Sequence, residues 1–80
     1  MSRFFFHMAD NAEMIIDDEG LDLPDLESAK AEAELSALDF AAECVRAGKP
    51  VDGRRIIVQD DRGITLMECG VKDLTARLVH

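Results

Sequence analysis

Apolar and polar positions alternate along residues 3–8: Phe4, Phe6 and Met8 fall on one face, Arg3, Phe5 and His7 on the other. A period of two that includes aromatics predicts a strand. Asp10-Asn11 supplies turn chemistry, and residues 13–17, centred on Met14-Ile15-Ile16, predict the returning strand of a hairpin. Asp17-Asp18-Glu19-Gly20 interrupts that strand and is expected to be an ordinary solvated turn. Leu21 and Leu23 continue in extended form, and Pro24 biases Leu23 away from helical angles.

The period then changes to that of a long amphipathic helix. Asp25 suits the N-cap, and Glu27 complements the positive end of the dipole. Gly48 suits the left-handed position past the last turn, and Pro50 prevents continuation. On a helical wheel, Ser28, Glu32, Ser36, Asp39, Glu43 and Arg46 form one polar stripe. Leu26, Ala29, Ala33, Ala37, Phe40, Ala41 and Cys44 form the set expected to face a sheet. A further apolar flank remains: Ala31, Leu35, Leu38, Ala42 and Val45, spaced by fours and threes like a coiled-coil seam.

After the helix, residues 55–59 carry the β-branched run Ile56-Ile57-Val58, typical of a buried strand. Asp60-Asp61-Arg62-Gly63 turns the chain, and residues 64–69 return as a fourth strand. Residues 71–79 read either as a short terminal helix or as an extended tail. The order β-β-α-β-β predicts a two-layer α+β fold, an antiparallel sheet covered on one face by a single long helix. Residues 1–80 are expected to form a single compact domain, with Phe4, Phe6, Ile57, Leu66, Ala37, Phe40 and Cys44 in its core.

Charge changes this picture. Residues 1–40 hold eleven acidic and two basic side chains, whereas residues 41–80 hold six and seven, and the whole chain carries a net charge of −8. Such a balance opposes binding to a phosphate backbone, and Arg54, Arg55 and Arg62 are the only local basic cluster, so no nucleic-acid partner is expected. Crowded carboxylates in residues 10–34 are expected to repel one another, raising their native pKa values and favouring the fold at low pH. The same window holds ten acidic residues against Lys30 alone, a surface suited to a basic protein.

Chemistry is sparse. Two cysteines and two histidines, Cys44, Cys69, His7 and His80, have no metal-ligand spacing, so neither metal nor cofactor is expected. Ser2, Ser28 and Ser36 lack the context of a nucleophile, no glycine belongs to a phosphate-binding loop, and the chain reads as no enzyme. No apolar run approaches membrane-spanning length, and MSRFFFHMAD is too short for a signal-peptide core; a cytoplasmic protein away from membranes is expected. Two surfaces stand out. Arg3, Phe5 and His7 form a candidate exposed strand patch. Leu35, Leu38, Ala42 and Val45 form a candidate interface, covered either by Leu74, Leu78 and Val79 or by a second copy in a homodimer.

The segments RFFFHMAD, DDEGLDLPDLESAKAEA and GRRIIVQDDRG resemble small uncharacterised proteins common in alpha-proteobacteria, with a "YFFH…DEEG…LPDLEAA…V.D..G" layout. That family is a domain of unknown function, so the resemblance implies a fold and a bacterial setting but no activity or site residue. Phe4 stands where the pattern often has Tyr. Leu23-Pro24-Asp25-Leu26 and the alanine-rich helix are also similar to HicB-type antitoxins, although the strands after the helix depart from that pattern. This second likeness implies an antitoxin-like protein, and the acidic residues 10–34 make the alternative expectation an antitoxin- or inhibitor-like protein that neutralises a basic partner through that segment.

Overall fold

A computed structural model describes residues 1–73. Five strands and one long helix follow in the order β1 (Ser2–Ala9), β2 (Met14–Ile15), β3 (Leu21–Leu23), α1 (Leu26–Ala47), β4 (Arg55–Gln59) and β5 (Thr65–Gly70). The fold is the α+β arrangement expected, with the extended Leu21–Leu23 segment added as a short strand. These strands pair antiparallel throughout, and the sheet runs β2-β1-β4-β5 with β3 also on β1.

The first strand is the spine of the sheet. One of its edges pairs with β4 from Phe5↔Gln59 to Ala9↔Arg55. Its other edge is shared: β2 pairs at the C-terminal end (Met8↔Ile15) and β3 at the N-terminal end (Phe4↔Leu21). Only Met14 and Ile15 pair in the expected return strand of residues 13–17, because the chain leaves the sheet after them.

The helix is capped as its sequence requires. The Asp25 carboxylate accepts the Ser28 N–H at 2.8 Å. At the far end Gly48 takes φ 68°, and the N–H groups of Gly48 and Lys49 donate to the carbonyls of Val45 and Cys44. This double bond pattern at a left-handed glycine satisfies carbonyls that helix geometry leaves open.

Ala29, Ala33 and Ala37 are completely buried against the sheet, where they meet Phe4, Phe6, Ile56, Val58 and Val71. Spacing by four makes these alanines one stripe, and their small size lets the backbone of α1 lie close over the large strand residues. Leu26, expected on that face, is exposed at the first turn, and Phe40 is only half-buried at its margin.

Two core assignments require correction. Ile57 is buried, but it pairs with His7 and so lies on the sheet face away from the helix. Leu66 is 38% exposed. The register jumps from Val58↔Met67 to Gln59↔Thr65, leaving Leu66 as an extra residue without a place in the alternation. Residues 71–73 are helical, whereas the expected cover from Leu74, Leu78 and Val79 lies outside the described residues.

Candidate functional site

The break between β2 and β3 organises one edge of the protein. Opposite this gap the Phe6 N–H has no strand to pair with, and one Asp17 carboxylate oxygen accepts it at 3.1 Å. The other oxygen accepts from the N–H groups of Glu19 (3.2 Å) and Gly20 (3.1 Å), so a single side chain closes the turn and patches the sheet. Gly20 is needed here for two reasons: its φ is +75°, and a Cβ would sit 2.8 Å from Arg3 Cγ and 2.9 Å from Phe5 Cε2.

The Asp17 N–H donates to His7 Nδ1 at 3.0 Å, which makes that nitrogen the acceptor and leaves the proton on Nε2. Nε2–H then donates to Gln59 Oε1 at 3.0 Å, and Gln59 Nε2 donates to Thr65 Oγ1. His7 is therefore a buried structural residue, 7% exposed, rather than part of an open patch. Of the other patch residues, Phe5 is half-buried. Arg3 remains accessible but is engaged: it forms a two-pronged pair with Asp22 and donates to the Glu19 carbonyl. Alternation places these three side chains on one face correctly; it does not show that the chain after Ile16 folds back onto them.

Between this edge and α1 lies a cleft of about 340 Å³. Phe6, Met8, Ile15, Ile16 and Leu21 supply apolar walls, and Asp17, Glu32 and Ser36 supply polar groups. Ile15 also borders an adjacent hollow of about 230 Å³ beside Phe40 and Cys44. There Arg54 lies 5.4 Å over the Phe40 ring, donates to the Pro50 carbonyl at 2.8 Å and approaches Asp10 at 3.5 Å. Arg55 pairs with Glu68 and Arg62 with Asp60, so all three arginines of the local basic cluster have acidic partners.

The expected interface residues occupy the back of α1. Leu35 and Val45 are 58% and 75% exposed, Leu38 is 39% exposed, and Ala31 and Ala42 are open to solvent. Among the described residues nothing covers them. No group of three or more His, Cys, Asp or Glu side chains among those residues could hold a metal ion, and no helix among them is long and apolar enough to cross a membrane.

Residues 3–71 match the family described as a domain of unknown function, DUF6894. The chain belongs to this family. No curated protein and no solved structure matches it. Membership in DUF6894 therefore groups the chain with relatives but supplies no reaction, ligand or site residue.

Five aspartates behave differently from a crowd of repelling charges. N–H donors from Glu13 and Ala12 hold Asp10 below the usual carboxylate range, the Arg3 hydrogen bond does so for Asp22, and the Ser28 N–H for Asp25. The Ile64 and Arg62 donors act likewise on Asp60. For Asp17, burial favours the neutral acid, but its N–H donors outweigh burial and the net displacement is downward. A depressed native pKa stabilises the fold above the unfolded value, about 3.9, and that contribution disappears as pH falls through the native value. The expectation of greater stability at low pH is thus reversed for these groups. Urea midpoints should hold steady from pH 7 to about 5 and fall between about pH 4 and 2. Midpoints that rise on acidification would mean that repulsion dominates after all.

Proposed function

We propose that this domain is a non-enzymatic protein that works through contact with other proteins, first with a second copy of itself along the back of α1. The observation that carries this reading is the exposed seam of Ala31, Leu35, Leu38, Ala42 and Val45. Steps of four, three, four and three keep these residues on one line facing a neighbouring helix. A strip of this kind is what stable monomers avoid exposing and what two-fold dimers bury. Two cysteines, Cys44 and Cys69, suit a reducing cytoplasm, and the resemblance to alpha-proteobacterial proteins supports a bacterial one.

Leu38→Glu should convert the dimer into monomers, because it would place two like charges in the middle of the seam. Sedimentation at micromolar concentration, with far-UV circular dichroism to confirm folding, is the measurement. A wild type that is already monomeric there rejects the dimer. A Leu38→Glu variant that loses stability with no change in subunit count would show that the seam is covered within one chain.

A second reading, an inhibitor-like protein for a basic partner, is favoured by one observation. Glu13, Asp18, Glu19 and Glu32 form no ion pair among the described residues, and Glu32 borders the cleft. Asp10, Asp17, Asp22 and Asp25 are committed to backbone groups or to Arg3, so the surface available to such a partner is narrower than residues 10–34 as a whole.

A further inference from the structure

The cleft beside α1 meets an open sheet edge, and the two together define what could occupy them. In β2, Ile15 stands opposite Met8, and Asp10 N–H donates to the Glu13 carbonyl at the hairpin turn. Alternation of an antiparallel ladder then turns the backbone N–H and C=O groups of Met14 and Ile16 away from β1. Among the described residues no strand lies outside them. The Ile15 side chain points to the helix side, where with Ile16 and Leu21 it walls the cleft.

At the helix side of that cleft sits Glu32, half-buried and without an ion-pair partner among the described residues. Filling the cleft with an apolar side chain would strip water from this carboxylate and return nothing. An acidic side chain would meet Glu32 and Asp17 together. A lysine or arginine satisfies both requirements: its methylene stem lies on Ile15, Ile16 and Leu21, and its head reaches the carboxylate.

We propose that the cleft receives a lysine or arginine side chain from an extended segment of a partner protein laid along the open edge of β2. Outward backbone groups of Met14 and Ile16 would hold the segment as an added strand, and the cleft would select its charge. A second copy of this chain is a poor occupant, since its own Asp17-Asp18-Glu19 run would face the same acids. The inference rests on the basic-partner reading and gives that partner an address; it is independent of the seam on the back of α1.

The test uses the full chain and a fluorescein-labelled, end-blocked nonapeptide of alternating valine and lysine. Three comparison probes are its valine–glutamate counterpart, a lysine peptide N-methylated at alternate residues, and the lysine peptide in high salt. The lysine peptide should bind, while the glutamate and N-methylated peptides should bind at least tenfold more weakly. Glu32→Lys should weaken binding of the lysine peptide by tenfold or more. Asp61→Lys, an equal charge change in the β4–β5 turn, should alter it less than about threefold. Far-UV circular dichroism confirms that both variants fold, and N-methylation probes the strand pairing without altering the protein. Equal weakening by Glu32→Lys and Asp61→Lys would overturn the cleft but leave a basic partner attracted by overall charge. Full binding of the N-methylated peptide would overturn the added strand. No salt-dependent binding of the lysine peptide at all would overturn both the cleft and the basic-partner reading.

Discussion

Asp17→Ala should lower the stability of the domain by ~2–4 kcal/mol, a large loss for a side chain in an acidic turn. Its carboxylate accepts three backbone N–H groups, from Phe6, Glu19 and Gly20, and bonds to a charged acceptor are the stronger class. Truncation leaves the part-buried Phe6 donor without its partner and frees the turn that holds β3 in register. Asp18→Ala, one residue further on, should change stability by less than ~0.5 kcal/mol, as expected for a surface site without such bonds. Asp17→Asn keeps one acceptor oxygen and should fall between the two. Urea unfolding of the three variants at pH 7 measures this. A loss below ~1 kcal/mol for Asp17→Ala would mean that water replaces the carboxylate without penalty.

A comparable loss is expected from enlarging a residue rather than removing one. Ala33 is fully buried where α1 crosses Phe4, Phe6, Ile56 and Val58, and there is no room for a longer side chain without lifting the helix. Ala33→Leu should cost ~1–3 kcal/mol or more, the usual range for overpacking a close contact. In a domain this small, each kcal/mol lowers the melting temperature by roughly 4–8 °C. Ala47→Leu makes the same chemical change at an exposed position in the last turn of the helix, outside the seam. It should leave the fold within ~0.5 kcal/mol of wild type. Thermal melts of both variants separate the faces, and an equal loss at the two sites would refute the assignment of the alanine stripe to the sheet.

The helix is legible in the sequence because every signal for it is local. Asp25, Gly48 and Pro50 act on their own turns, and the alanine spacing reports which side faces the large strand residues. The Ile56-Ile57-Val58 run marks a strand for the same reason. Asp17 is not legible. An aspartate in the run Asp17-Asp18-Glu19-Gly20 looks the same whether water or a distant N–H receives it, and the donor that matters is eleven residues away. His7 reads as exposed because alternation gives a face but not the segment that later folds onto it. Leu66 is misplaced by a single extra residue in the ladder, which reverses inside and outside from that point along the strand. The seam on α1 is visible from spacing alone, and its exposure on the side away from the sheet adds the fact that no described element covers it.

The place of β1 at the centre of the sheet has a consequence for biosynthesis. A nascent chain emerging from the ribosome exposes β1, β2, β3 and α1 before any of β4 has left the tunnel. At that stage one edge of β1 is unpaired from Phe5 to Ala9, and the alanine stripe lacks Ile56, Val58 and Val71. These three supply much of the bulk that the helix packs upon, and they arrive only after the whole of α1. Pairing between strands roughly fifty residues apart in sequence must close before the core exists, so the core of this domain cannot form on a nascent chain until β4 has emerged.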